Sequence, residues 1–206
     1  MIAYDSATAL IVVDVQNDFA DPDGNLFVAG GEDVIPIIND QIERARRAGA
    51  LVVYTRDWHP DETPHFARDG GIWPVHCVRG TWGAAFHPDL DTAGPVISKG
   101  MGGEDGYSGF TVRDPESGEE SPTGMQDLLE EHSIARVVVV GLALDYCVKA
   151  TALDAAAAGF ATTVLQEATR PVDLAPGDGE RAAADLAAAG IALARIAGWT
   201  PATLHS

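Results

Sequence analysis

Four side chains able to do acid, base or thiol chemistry stand where β-branched runs stop. Asp14 follows ALIVV, Asp57 follows LVVYTR, Lys99 follows VIS, and Cys147 lies just beyond VVVVGLAL. An aspartate and a lysine at neighbouring buried strand ends should pair, and a thiol emerging beside them would feel both charges. Near a helix start the Cys147 thiolate is favoured by the macrodipole and by unpaired backbone N–H groups, and a nearby ammonium adds to this. The histidines lie elsewhere in the chain, so Asp14 is the candidate to accept the thiol proton and later return it to a leaving amine. Asp14, Lys99 and Cys147 then form one catalytic set. The turn over 141–147 would aim backbone N–H groups at an oxyanion, with Ala143 and Cys147 as the expected donors. Plainer readings exist for each residue taken alone: Asp14 or Asp145 can cap a helix, Lys99 can snorkel at the surface, and Cys147 can fill a core.

A second constellation lies in DWHPDETPHFARDGGIWPVHC, which carries Asp57, His59, His65 and His76. Asp57 and His59 are two apart, so they share a face of an extended segment, and His65 and His76 could fold back to complete three nitrogens and one oxygen. Such a set suits one divalent ion, zinc, iron or manganese, and does not suit calcium. The alternative is that these are solvated loop histidines. The excursion over 58–95 reads as having neither helix nor strand, and a metal clip would be an effective way to hold so long a loop. Its aromatic residues Trp58, Phe66 and Trp73 could be loop anchors or walls for a flat ligand.

The elements that must position these groups follow from pattern. Strands are expected over 9–14, 51–57, 96–99, 137–142, 162–166 and 191–196, and helices over 34–48, 125–131, 145–158 and 179–189. Alternating strands and helices predict an α/β fold: a Rossmann-like three-layer arrangement with a six-stranded, mainly parallel sheet and helices on both faces. Ligands of such sheets bind outside the carboxyl ends of the strands, where the long loops over 58–95 and 100–122 would lie. The 206 residues, 46% hydrophobic, are expected to form one domain over 1–206.

The formal charge of -18 repels polyanions and argues against nucleic acid and anionic membranes as partners. No apolar run is long enough to span a bilayer and the first residues lack a basic export signal, so the cytoplasm is the expected compartment. There Cys77 and Cys147 should be thiols rather than a disulfide. Gly100, Gly102 and Gly103 do not complete a dinucleotide fingerprint, because Asp105 replaces the last glycine and no helix opens there. The acidic run 114–120 reads as a solvated loop, and His87, His132 and His205 read as surface residues.

The segments DVQNDF, DWHPDETPHF, WPVHCVRGTWGAAF, KG, YSGF and GLALDYCVKATALDA together resemble nicotinamidases (pyrazinamidases) of the isochorismatase-like cysteine hydrolase superfamily. The resemblance runs from about Ala9 to Gln166, with Leu144 standing where many relatives have threonine. It implies hydrolysis of a small pyridine carboxamide, nicotinamide, to nicotinate and ammonia, feeding pyridine-nucleotide salvage. It further implies Cys147 as nucleophile, Asp14 as proton carrier and Lys99 as third catalytic member. Asp57, His59, His65 and His76 would be the metal ligands, and Phe19, Trp73 and Tyr107 the ring-binding wall. A cis peptide before Ala143 is implied as part of the oxyanion hole, while assembly into homo-oligomers stays open. A related amidase for carbamoyl or ureido substrates would lack the histidine cluster, and a non-haem iron oxygenase would leave Cys147 idle. A catalytically dead metal-binding or scaffold protein would not need Asp14, Lys99 and Cys147 together.

Overall fold

The computed structural model describes residues 2–196. Its strands are β1 (Thr8–Val13), β2 (Leu51–Asp57), β3 (Val96–Lys99), β4 (Thr111–Arg113), β5 (Glu120–Pro122), β6 (Arg136–Leu142), β7 (Ala161–Arg170) and β8 (Ala192–Ala194). Six of them form one sheet in the order β3-β2-β1-β6-β7-β8, with every neighbouring pair parallel. The helices are α1 (Asn17–Ala20), α2 (Ile35–Arg47), α3 (Met125–Glu131), α4 (Lys149–Ala157) and α5 (Asp178–Ala188). This is the expected α/β architecture.

A sheet covered on both faces needs apolar side chains at successive positions, and β1 and β6 supply them. Leu10, Val12, Val138 and Val140 pack with Ile35, Ile38 and Ile42 of α2 in one core. Ile11, Val13, Val137 and Val139 pack with Met125 and Leu129 of α3, Ala152 and Ala155 of α4 and Leu186 of α5 in the other. Each fully buried branched side chain contributes about 1.5–3 kcal/mol. The two central strands therefore form a stiff platform whose carboxyl ends are fixed in register, Val13 opposite Gly141.

Several boundaries differ from the sequence pattern. β7 extends to Arg170 because its polar second half resumes pairing beyond a register shift at Val139/Gly141. The last strand shrinks to three residues, and the helix expected over 145–158 begins as a π-helical turn, Leu144–Val148, before α4. The 100–122 excursion contains the antiparallel hairpin β4–β5, whose strands of three residues are too short to show periodicity. The acidic residues between its strands are exposed, as expected. The 58–95 excursion holds one 3-10 turn, Ala67–Asp69, and isolated bridges pair His59 with Val78, Phe66 with Trp73 and Gln16 with Phe86.

That loop is also clamped by side chains from the segment after β1. Gln16 Nε2 donates to the carbonyls of Asp57 and Ala84, Asn17 Nδ2 donates to the Trp82 carbonyl, and Asp18 Oδ2 accepts from the Cys77 amide. A metal clip is thus not the loop's only restraint. Of the histidines read as surface residues, His132 is exposed and His205 lies outside the described residues. His87 is instead buried, since its backbone pairs with Val15 and its ring packs 3.7 Å from Asp21 Oδ2.

Candidate active site

The close approach of β1 and β6 decides where the reactive groups meet. Gly141 has φ 111 and faces Val13 so tightly that a Cβ would lie 2.1 Å from the Val13 carbonyl oxygen. Only glycine accepts both the dihedral and the contact. Asp14 follows Val13 in the left-handed region, φ 50, and its carboxylate has an atom within 4.8 Å of the Cys147 sulfur. Local backbone in this region is uncommon outside glycine and tends to occur at functional sites.

Lys99, at the end of β3, is fully buried between two carboxylates. Its Nζ lies 2.9 Å from Asp14 Oδ2, in an ion-pair approach not aligned as a hydrogen bond, and it donates to Asp57 Oδ1. Cys147 Sγ is 3.7 Å from the same Nζ. Asp14, Asp57 and Cys147 each offer an atom within 4.8 Å of the others. The Thr55 hydroxyl donates to Asp14 Oδ1 at 2.6 Å and fixes that carboxylate's rotamer.

The electrostatics separate the two acids. Burial pushes the Asp14 carboxyl up, against the pull of Lys99 and with the support of Asp57. Burial also works on Asp57, but Lys99, His59 and His76 outweigh it and hold this carboxyl well below the usual range. Burial alone would neutralise Lys99, yet Asp14 and Asp57 keep its ammonium charged. Asp14 is accordingly the member of the pair able to carry a proton. For Cys147, burial pushes the thiol well up, Lys99 pulls it down as the sequence led one to expect, and Asp14 and Asp57 add to the rise.

The imidazoles stand beside this cluster. His59, His65 and His76 are all buried, and one ring nitrogen of each lies within 4.8 Å of one from the others. Asp57 Oδ2 reaches two of them, 3.7 Å from His59 Nε2 and 3.9 Å from His76 Nε2. The outward nitrogens of two rings are already engaged: His65 Nδ1 with Asp105 Oδ1 at 2.7 Å and His76 Nδ1 with the Pro74 carbonyl at 2.7 Å. Their Nε2 atoms are left as ligands, the usual arrangement for metal-bound imidazole. Burial pushes His76 down to about 4, which keeps its ring neutral and its lone pair free. Both nitrogens of His59 are buried without a hydrogen-bond partner. An orphaned buried imidazole among two others and a carboxylate calls for a partner, and the residues present fit a divalent metal.

A cavity opens onto both clusters and is lined by Phe19, Trp73, Tyr107, Ala143, Cys147, Asp57, His65 and His76. The three aromatic residues of the expected ring-binding wall thus share this cavity. Phe66 instead backs the imidazoles, 5.4 Å from His59 and 5.5 Å from His76, and Trp58 is stacked under the Arg56 guanidinium at 3.9 Å. Tyr146 completes the aromatic side, 4.9 Å from Trp73 and 5.2 Å from Tyr107, and was signalled only by its adjacency to Cys147. Leu26, Val28 and Val172 also line the cavity, and Asp105, Gln16 and Thr55 act from behind; of these only Gln16 lies in a segment, DVQNDF, that the sequence singles out. The Leu142–Ala143 peptide is cis, and the Ala143 carbonyl accepts from the Tyr146 and Val148 amides, closing the turn around Cys147.

Known proteins resemble this chain over most of its length. The nicotinamidase of Escherichia coli is 34% identical over 209 residues, covering 93% of this chain and 96% of that protein. The pyrazinamidase of Pyrococcus horikoshii, solved in complex with zinc, superposes with a TM-score of 0.81 at 39% identity, covering 92% of this chain and 99% of that one. The protein PnC1 from L. infantum, solved in complex with nicotinate, superposes with a TM-score of 0.85 at 36% identity, covering 94% of this chain and 96% of that one. Residues 8–196 match the Isochorismatase domain, and the chain belongs to that family.

Proposed function

We propose that this chain is a metal-dependent cysteine amidohydrolase that converts nicotinamide, and pyrazinamide, to the carboxylic acid and ammonia through a thioester on Cys147. The observation that carries this reading is one buried ammonium, Lys99, shared by Asp14 and Asp57 and 3.7 Å from the Cys147 sulfur, with Asp57 also facing two of three clustered imidazoles. Nucleophile chemistry and metal chemistry are joined within one small cavity. The names of the relatives support the same reading.

Asp57, His59, His65 and His76 would hold the ion. A divalent ion there supplies a Lewis-acid anchor for a ring nitrogen; zinc, iron and manganese all suit this donor set. Phe19, Trp73, Tyr107 and Tyr146 grip the flat ring, and this hold fixes the carboxamide against Cys147. Asp14 takes the thiol proton as sulfur bonds to the amide carbon, and the Ala143 and Cys147 amides receive the oxyanion. The same proton then passes from Asp14 to the departing nitrogen as the C–N bond breaks and ammonia leaves. Water, deprotonated by Asp14, adds to the thioester; the C–S bond breaks and the acid is released with the thiol restored. Lys99 stays charged throughout, its ammonium shared by the two carboxylates.

The free thiols of Cys77 and Cys147 suit a reducing compartment, in line with the cytoplasm. Among the described residues no helix is long and apolar enough to cross a membrane. The deciding experiment is ammonia release from nicotinamide, pyrazinamide and a ureido amide by parent protein and by Cys147→Ala. Turnover of the two pyridine-type amides by the parent alone is expected. Turnover confined to the ureido amide, or equal in the variant, would overturn the reading.

A further inference from the structure

We propose that Asp105 is a positioning residue for the metal site, fixing the His65 ring so that Nε2 is its ligand atom. The inference rests on the metal reading above and extends it to a residue outside the ligand set.

Asp105 Oδ1 lies 2.7 Å from His65 Nδ1, and the Gly106 amide donates to the same oxygen at 2.9 Å. A carboxylate oxygen can only accept, so the proton of a neutral His65 ring sits on Nδ1 and the Nε2 lone pair is free. His76 obtains the same tautomer from a backbone carbonyl, and His59 from no side chain or carbonyl. Asp105 is thus the one carboxylate among the described residues that hydrogen-bonds to the outward nitrogen of an imidazole in the cluster.

The carboxylate is itself held. Asp105 exchanges backbone hydrogen bonds with Arg113, its amide donating at 2.7 Å and its carbonyl accepting at 2.5 Å. Arg113 is the last residue of β4, and that strand is tied to the platform by the Thr111 hydroxyl, which donates to Asp154 Oδ2 of α4 at 2.9 Å. The hairpin β4–β5 therefore works as a bracket: its root is pinned to a helix, and Arg113 at the far end of β4 holds the backbone of Asp105, whose carboxylate meets His65. Such a group behind a metal-bound histidine fixes ring orientation and strengthens the ligand, and its loss weakens metal binding about 10- to 100-fold.

The test is Zn2+ affinity of chelator-stripped protein, read by competition with a chromophoric chelator, for the parent, Asp105→Ala and Asp105→Asn. Far-UV circular dichroism and thermal unfolding of each stripped protein verify the fold. Asn keeps an acceptor oxygen for Nδ1–H and removes the charge; Ala removes both. The expected result is a loss of about 10- to 100-fold for Asp105→Ala, with Asp105→Asn recovering most of it. A parent that binds no Zn2+ sinks the metal reading and this proposal with it. A parent that binds while Asp105→Ala binds equally well overturns this proposal alone, and so does a loss of equal size in folded Ala and Asn variants.

Discussion

At the scale of single residues, the cluster is defined by one positive charge serving two negative ones. Replacing Lys99 by methionine would strand Asp14 and Asp57 in the interior, and such an uncompensated charge costs about 3–5 kcal/mol; urea unfolding should register a loss of that size. Cys147→Ala removes the proposed nucleophile but no proposed ligand. It should lower kcat/KM at least about a thousandfold while metal content stays at the parent level. His59→Ala should do the reverse, with metal stoichiometry falling and KM rising; unchanged stoichiometry would remove His59 from the proposed ligands. The residues that stand at strand ends were legible because four reactive side chains fall there together, although each has a plain reading alone. The contacts of those behind them were not. Gln16 acts on partners 41 and 68 positions away, and Asp105 on one 40 positions away, so no local pattern announces these contacts. At Cys147 the proximity of Lys99 could be guessed from sequence, but the burial that pushes the thiol up could not.

At the scale of elements, the join between β1 and β6 is the position least tolerant of change. Gly141→Ala would press a methyl group onto the Val13 carbonyl in a dihedral region unfavourable to alanine, and a loss of about 3 kcal/mol or more in urea unfolding is expected. A stability within experimental error of the parent would mean that the two strands can part there. Strands and helices with sustained periodicity were legible, and so was the two-faced burial of β1 and β6. The hairpin β4–β5 and the polar half of β7 were not, because three-residue strands and a bulged pairing leave too few alternations to count. The turn at Cys147 read as a plain helix start for the same reason, since one π-helical turn does not disturb the spacing of the apolar residues around it.

At the scale of the whole molecule, a formal charge of -18 makes the folded chain repel itself. Added potassium chloride screens that repulsion, and the Tm should climb between low and moderate salt. Acid acts in the opposite direction. The carboxyls of Asp5, Asp114 and Asp178 are held below their ordinary range, chiefly by the Thr8 hydroxyl, the Ser117 amide and the Ala175 amide respectively. Depressed folded values mean that the unfolded chain binds more protons. The stabilisation is therefore present above about pH 4 and drains away as pH falls through the folded values. Urea unfolding measured from pH 5 down to pH 3 should show this slope, and Asp5→Asn should flatten it. The clamping of the histidine-bearing loop by Gln16, Asn17 and Asp18 has a further result. A scaffold already fastened by its own amides does not rely on an ion to find its shape. Dialysis against a chelator should thus yield a protein that is catalytically silent yet natively folded, and returning the ion should revive it without any refolding phase.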